Sequence, residues 1–122
     1  MSKVLYVDDN DDNVYMLKMR LELLGDFEVI TAEDGEKGCE MVCTERPDIV
    51  LMDLEMPGIS GLEATRRLRA EAATSATPII LVTSHSEAES LEGAFVNGCT
   101  DYVIKPINED ELLLKVRSYL GE

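Results

Sequence analysis

The stretch Ile49-Val50-Leu51-Met52-Asp53 carries four apolar residues directly into a carboxylate. Three more apolar runs end on charged or hydroxyl side chains: residues 4–7 before Asp8-Asp9, 79–82 before Thr83-Ser84, and 102–104 before Lys105-Pro106. Strands of a parallel sheet are covered on both faces, so they read as continuous apolar runs of this kind. Ligands of such sheets bind beyond the carboxyl ends of the strands. The pattern therefore predicts a parallel sheet whose chemistry lies at one edge.

Amphipathic segments separate the apolar runs, and this alternation of strands and helices is typical of the α/β class. A further strand is predicted at Glu28–Ala32, with helices at 12–24, 35–45, 61–70, 87–96 and from Asn108 onward. Because crossovers are right-handed, we expect a doubly wound five-stranded parallel sheet of order 2-1-3-4-5, in a flavodoxin-like three-layer α/β/α fold. The first and third strands then lie side by side, which brings Asp8, Asp9 and Asp53 to the switch point of the sheet.

The spacing of apolar residues also predicts which helix faces are buried. The inward residues are Val14, Leu17, Leu21 and Leu24 on the first helix and Cys39, Val42 and Cys43 on the second, whereas the third helix displays Arg66, Arg67 and Arg69. Asn108 is a favourable cap for the last helix, with Glu111 placed to complete a variant capping box.

The composition limits the class of protein. With 122 residues, of which 45% are hydrophobic, the chain is expected to form one domain over residues 1–122 with a real core. The net charge of -14 argues against nucleic-acid binding, which needs a basic face. No apolar run approaches the roughly 20 residues that cross a bilayer, and no signal peptide precedes the first strand. We therefore expect a cytoplasmic protein that binds neither membrane nor nucleic acid, with no room for an output domain.

Three carboxylates at adjacent strand ends repel one another. Two unit charges 4 Å apart cost about 4 kcal/mol at an effective dielectric constant of 20, and a divalent cation would offset that cost. Oxygen ligands with little imidazole or thiolate nearby favour Mg²⁺. Alternatively, acids after a strand cap the next helix, which accounts for Asp11 or Asp12 and for one of Asp8 and Asp9. Capping does not account for Asp53 at the end of an apolar run.

The other two strand ends suit a phosphoryl group. Lys105 can place an ammonium beside a carboxylate or a phosphate as a compact point charge. Thr83 can donate a hydroxyl hydrogen bond to a phosphoryl oxygen. Taken singly, Lys105 could be only a structural partner of Asp53, and Thr83 an ordinary strand residue. Their occurrence together at consecutive strand ends favours the phosphoryl interpretation.

With these residues assembled, the whole chain closely resembles the receiver domains of two-component response regulators. Four segments carry the resemblance: VLYVDDND from Val4 to Asp11, PDIVLMDLEMPGISGLE from Pro47 to Glu63, PIILVTS from Pro78 to Ser84, and GCTDYVIKP from Gly98 to Pro106. A DxxMP motif alone would be weak, whereas the Asp53 and Lys105 segments together are specific.

The resemblance implies a phosphoacceptor and a magnesium site. Asp53 matches the residue that accepts the phosphoryl group. Asp8 and Asp9 match the acidic pair that holds Mg²⁺, with Asp9 as a direct ligand and Asp8 acting through water. The backbone carbonyl of Glu55 matches a third protein ligand, and Mn²⁺ can substitute for Mg²⁺ in such a site.

The resemblance also implies a switch. Thr83 and Lys105 match residues that contact phosphoryl oxygens, and Tyr102 matches an aromatic residue whose rotamer follows the hydroxyl side chain. The peptide bond after Lys105 is expected to be cis. The side chains of Glu55 and His85 are expected to flank the exposed side of the phosphoryl group, although a solvated loop position explains His85 equally well.

The function that follows from the resemblance is that of a stand-alone phosphoacceptor. Its partners would be a histidine kinase or a histidine phosphotransfer protein, together with an unknown downstream protein target. It would not be an enzyme beyond catalysing its own phosphorylation and slow dephosphorylation. The alternatives are a degenerate receiver acting only as an interaction module, an aspartyl-phosphate hydrolase, and a flavodoxin-like electron carrier, which the acidic first loop disfavours because it repels flavin phosphate.

Overall fold

The computed structural model describes residues 1–84 and 98–121. Its strands are β1 (Lys3–Val7), β2 (Glu28–Ala32), β3 (Ile49–Asp53), β4 (Ile79–Thr83) and β5 (Asp101–Ile104). The helices within the described residues are α1 (Asp11–Gly25), α2 (Gly35–Glu45), α3 (Gly61–Ala70) and α4 (Glu109–Tyr119). None of these helices is long and apolar enough to cross a membrane. The predicted helix at 87–96 and the residue His85 lie outside the described residues.

All five strands pair in parallel in the order β2-β1-β3-β4-β5, which confirms the predicted fold class and strand order. The register sets Val7 of β1 beside Met52 of β3. Asp8 follows Val7 and Asp53 follows Met52, so their positions are adjacent where the two strands end. Hydrogen bonding continues past β1, because the backbone N–H of Asp8 donates to the carbonyl of Ala32 at 3.1 Å.

Side chains on each strand alternate between two core clusters, one on either face of the sheet. Tyr6 and Leu51 belong to the cluster that contains buried residues of α1 and α4. Val7 and Met52 belong to the cluster that contains buried residues of α2 and α3. The three predicted layers are therefore present among the described elements. Both faces of the sheet are covered, which explains the continuous apolar runs in the sequence.

Each described helix begins at a polar side chain that accepts a backbone N–H, as expected of an N-cap. The caps are Asn10 for α1, Asp34 for α2, Ser60 for α3 and Asn108 for α4. The prediction of Asn108 is confirmed, since its side chain accepts from the Glu111 N–H at 2.9 Å. The N-cap of α1 is Asn10 rather than one of the neighbouring acids. The alternative that an aspartate before α1 serves as its N-cap is therefore wrong.

Two inward residues were predicted wrongly. Leu17, Leu21 and Val42 are buried, whereas Leu24 is 46% exposed and Cys43 is exposed. At the end of α1 the inner position is taken by Gly25, and a β-carbon there would lie only 2.2 Å from the ring of Phe27. Because the Phe27 ring fills this space, Leu24 stays on the outside.

Arg69 of α3 is half-buried rather than displayed. Its guanidinium donates to the carbonyls of Gly98 and Thr77, each at 2.7 Å, and to the hydroxyl of Thr100 at 3.3 Å. These acceptors precede β5 and β4, so Arg69 fastens the amino-terminal ends of both strands to α3. Arg67, by contrast, is exposed, and its guanidinium pairs with the Glu63 carboxylate at 3.4 Å.

We expect Arg69→Ala to lower the free energy of unfolding by about 2 kcal/mol, because it removes charged donors from backbone carbonyls that are shielded from water. The matched control Arg67→Ala should cost less than about 0.5 kcal/mol, since an exposed ion pair contributes little. Urea denaturation of both variants measures the difference. Equal unfolding midpoints for the two variants would contradict the fastening role of Arg69.

Candidate functional site

Three carboxylates converge where β1 and β3 end. Asp8, Asp9 and Asp53 each offer an oxygen, and these atoms all lie within 4.8 Å of one another. Asp8 is 1% exposed and Asp53 is 5% exposed, whereas Asp9 is exposed. Gly61 allows the chain to pass closely behind Asp53, because a β-carbon there would lie 2.4 Å from the Asp53 carbonyl oxygen. The structure thus assembles an acidic cluster at the predicted edge of the sheet.

Neutral donors hold the side chain of Asp8. The Tyr6 hydroxyl donates to Oδ2 at 2.5 Å, and the Asn10 backbone N–H donates to Oδ1 at 2.9 Å. Burial, followed by the hydrogen bond to Asp8, raises the pKa of Tyr6 far above its usual value, so the phenol keeps its proton. Sequence reasoning missed Tyr6, although its position two residues before Asp8 on a strand places both side chains on one face.

A single ammonium pairs with Asp53 among the described contacts. Lys105 Nζ lies 3.1 Å from Asp53 Oδ2. The Lys105 backbone N–H donates to the Thr83 carbonyl at 2.7 Å, which fixes the start of the lysine next to β4. The Lys105–Pro106 peptide bond is cis, as the resemblance implies.

The surroundings of Asp53 raise the pKa of its carboxyl group. Burial raises the pKa of Asp53 to about 6, against the hydrogen bond and the charge of Lys105, which lower it. The negative charge of Asp8 adds to the rise. Burial therefore outweighs the lysine, and the cluster has more negative charge than its protein partners neutralise.

Thr83 and Tyr102 lie on the face of the sheet that α2 and α3 cover, whereas Asp53 belongs to the face that α1 and α4 cover. Thr83 is 1% exposed, and its hydroxyl donates to the carbonyl of Ser84 at 3.4 Å. Tyr102 is half-buried against the cluster of α2 and α3. Lys115 Nζ lies 5.5 Å from the centre of the Tyr102 ring and donates to the Tyr102 carbonyl at 2.8 Å. The residues that line the acidic cleft include Ser84 but not Thr83.

The acidic cluster opens into a surface cleft of about 330 Å³, which is also lined by Lys105, Ser84 and the exposed Glu55. Hard oxygen donors in an open cleft suit a divalent cation such as Mg²⁺, which keeps several of its waters. A buried carboxylate beside that cation and an ammonium is also arranged to attack an electrophilic phosphorus. The residues present therefore fit both a magnesium ion and a phosphoryl group.

Fold and site together define an α/β domain with an acidic cleft at the carboxyl edge of its parallel sheet. The sequence model of the response regulator receiver domain family matches residues 4–117. The chain belongs to this family.

Two curated relatives match over nearly their full length. PilH of Pseudomonas aeruginosa is 39% identical over 121 residues, which are 99% of each chain. The polar-differentiation response regulator DivK of Brucella anthropi is 32% identical, over 98% of this chain and 96% of DivK. A solved structure, the receiver domain of the sensor histidine kinase PA1611 from P. aeruginosa, is 30% identical with a TM-score of 0.89, covering 99% of this chain and 98% of that one. That structure has a magnesium ion coordinated in its active site cleft.

Without divalent cations, we expect Asp53 to make the protein less stable as the pH rises from about 4 to about 6. Its pKa is near 4 in an unfolded chain and about 6 in the folded protein. In this interval the folded state therefore holds a proton that the unfolded state has lost. Stability from this proton is complete below pH 4 and is lost as the pH passes 6.

The comparison with Asp53→Asn isolates this effect. Across the interval, the free energy of unfolding of the wild type should fall by about 3 kcal/mol relative to the variant. Urea denaturation in the presence of EDTA at a series of pH values measures it. Parallel pH profiles for the two proteins would show that Asp53 has an ordinary pKa.

Proposed function

We propose that this chain is a phosphoacceptor response regulator. It takes a phosphoryl group from a phosphohistidine of a histidine kinase or histidine phosphotransfer protein onto Asp53, in a reaction that depends on Mg²⁺. The observation that carries the proposal is the buried Asp53 carboxylate, paired with Lys105 at 3.1 Å and within 4.8 Å of two further acids. Residues 1–122 act as one receiver unit in the cytoplasm, where ATP-dependent kinases phosphorylate their histidines.

In the transfer, an Asp53 oxygen bonds to phosphorus while the bond from phosphorus to the imidazole nitrogen breaks. Asp53 is largely ionised at neutral pH despite its raised pKa of about 6, so it can act as the nucleophile. The transition state is loose and spreads charge over the equatorial oxygens, so positioning and electrostatics dominate. Lys105 is long and one-third exposed, so its ammonium can follow the charge from the carboxylate to a phosphoryl oxygen.

The acidic pair and Asp53, together with the backbone carbonyl of Glu55, would hold the cation. Bound Mg²⁺, or Mn²⁺ in its place, supplies positive charge opposite Lys105. Asp9 is exposed and suits a direct ligand, whereas the side chain of Asp8 is held by Tyr6 and suits contact through water.

The acyl phosphate adds a charge of roughly -1.5 to -2 at the edge of the sheet. The Thr83 hydroxyl then turns from Ser84 toward a phosphoryl oxygen. Tyr102 lies on the same face as Thr83, with its partner Leu81 two residues before Thr83 on β4. The Tyr102 ring moves into the space that the Thr83 side chain vacates and loses its contact with the Lys115 ammonium. This local charge change biases a two-state element and alters the surface that a downstream protein or relay partner reads.

The donor protein docks on α1. Five large apolar side chains are exposed along this helix: Tyr15 at 68%, Met16 at 50%, Met19 at 43%, Leu23 at 75% and Leu24 at 46%. Tyr15, Met19 and Leu23 are spaced four residues apart, so they share one helix face. A groove of about 690 Å³ runs along this face.

The position of α1 supports the donor protein as the occupant of this face. The helix is capped by Asn10, and Asn10 and Asn13 line the acidic cleft, so the apolar face starts about one turn from the cleft. A phosphohistidine can reach Asp53 only if its protein covers the rim of that cleft. Exposed aromatic and methionine side chains are enriched in such interfaces.

We expect Asp53→Asn to abolish labelling by acetyl phosphate with Mg²⁺, because the amide cannot form the acyl phosphate. The control Asp12→Asn, which removes an exposed acid from the first turn of α1, should label like the wild type, and EDTA should abolish wild-type labelling. Intact-protein mass spectrometry counts the phosphoryl groups. Full labelling of Asp53→Asn at the wild-type rate would rule out the assignment of the acceptor.

We expect Leu23→Glu to slow phosphotransfer from a phosphorylated histidine kinase by about 10-fold or more, since a charge in the apolar face costs binding free energy. A histidine kinase autophosphorylated with radioactive ATP is the donor. Leu114→Glu is the matched control, because Leu114 is a leucine of α4 that is 69% exposed. Labelling by acetyl phosphate should be unchanged in both variants. An equal loss from both variants, or from neither, would remove α1 as the docking face.

A further inference from the structure

The hydroxyl of Tyr6 contacts the acidic cluster from the core side of the sheet. Tyr6 is 1% exposed, and its hydroxyl donates to Asp8 Oδ2 at 2.5 Å, where Asp8 is itself 1% exposed. The Asn13 side-chain amide reaches the same oxygen only at 3.5 Å. The phenol is therefore the short side-chain contact that fixes this carboxylate.

A neutral donor is suited to this position. A buried carboxylate needs hydrogen bonds to offset the loss of water. Lysine or arginine could supply them, but a second cation would repel a divalent ion. The Tyr6 phenol and the Asn10 N–H satisfy one lone pair on each oxygen without cancelling the charge. Oδ1 keeps a further lone pair for the ion or for a water on it, and at Oδ2 only the Asn13 amide at 3.5 Å competes for the second lone pair.

The ring of Tyr6 is held rigidly. It belongs to the core cluster that also contains Leu17 and Leu21 of α1 and Leu112 of α4. Packing on a central strand fixes the hydroxyl without a further loss of rotamer freedom, as supporting residues of a site require. On one side, Tyr6 lines a cavity of about 230 Å³ beside Lys105 and Pro106. Without the hydroxyl, Asp8 Oδ2 would lose its short side-chain donor.

We propose that Tyr6 is a positioning residue of the magnesium site, whose buried hydroxyl sets the rotamer of Asp8 so that its carboxylate faces the bound cation. This inference rests on the proposed function, because it assigns a role toward the Mg²⁺ ion of that function. Partners of this kind typically contribute a factor of about 10 to about 100 in metal affinity.

The test is Tyr6→Phe, which keeps the ring in the core and removes the hydroxyl. We expect the dissociation constant for Mg²⁺ alone, measured by isothermal titration calorimetry without phosphodonor, to rise by about 10-fold or more. The Mg²⁺ concentration that half-saturates labelling by acetyl phosphate should rise by the same factor. The labelling rate at saturating Mg²⁺ should stay within about twofold of the wild type, because Tyr6 acts through Asp8 rather than on the reacting atoms.

Thr74→Val is the matched control, because Thr74 is buried and donates a hydroxyl hydrogen bond to the Leu68 carbonyl at 2.6 Å, outside the acidic cluster. It should lower stability and leave Mg²⁺ affinity unchanged. Tyr6→Leu, which removes ring and hydroxyl together, should weaken Mg²⁺ binding as much as Tyr6→Phe, and circular dichroism checks that each variant is folded before Mg²⁺ is titrated.

The outcomes separate the two proposals. Mg²⁺ affinity within about twofold of the wild type in the folded Tyr6 variant would overturn the role of Tyr6, while wild-type labelling at Asp53 would leave the proposed function intact. An equal loss of Mg²⁺ affinity in Thr74→Val would also overturn it, since the effect would then be one of stability. A wild type that neither binds Mg²⁺ nor labels would overturn both proposals.

Discussion

The rest of the site depends on the burial of two carboxylates at adjacent strand ends. Asp8 and Asp53 are almost inaccessible to solvent, and together with Asp9 their oxygens lie within 4.8 Å. At that distance each pair of charges repels by about 3 kcal/mol at an effective dielectric constant of 20. One ammonium, from Lys105, offsets part of this repulsion, and the pKa of Asp53 stays raised. The remaining negative charge favours the cation that the proposed function requires.

In the proposed function, the parallel sheet separates the residue that accepts the phosphoryl group from the residues that respond to it. Asp53 follows Leu51 by two residues on β3 and belongs to the face covered by α1 and α4, while Thr83 follows Leu81 on the face covered by α2 and α3. The donor surface proposed on α1 and the switch proposed at Tyr102 therefore lie on opposite faces. In this proposal, the donor surface and the switch communicate across the carboxyl edge of the sheet, where β4 ends at Thr83. A hydroxyl that lies just below that edge is suited to this role.

Sequence patterns predicted the elements whose signal is local. Strand order followed from apolar runs and crossover handedness, and Asn108 from capping chemistry. Residues whose environment depends on distant parts of the chain were missed. Tyr6 reads as one more apolar strand residue, and the acceptors of Arg69 lie up to 31 positions away in the sequence. Thr83 is a different case. Val82 pairs with Asp53 in the register of β3 and β4, and side chains alternate along a strand, so Thr83 lies on the other face of the sheet from Asp53. The sequence alone does not give this register.

The two buried acids are stabilised by different means, and the difference matches their proposed chemistry. Asp8 forms no bond to phosphorus in the proposed reaction, and its donors, a phenol in the core and a backbone N–H, are fixed dipoles. Asp53 loses its charge to an acyl bond and gains a phosphoryl group, and its partner is the long, one-third exposed side chain of Lys105. A fixed dipole could not follow charge that moves outward by the length of a phosphoryl group, whereas a flexible ammonium can. Fixed donors at one acid and a movable cation at the other thus allow the cleft to serve both states of Asp53.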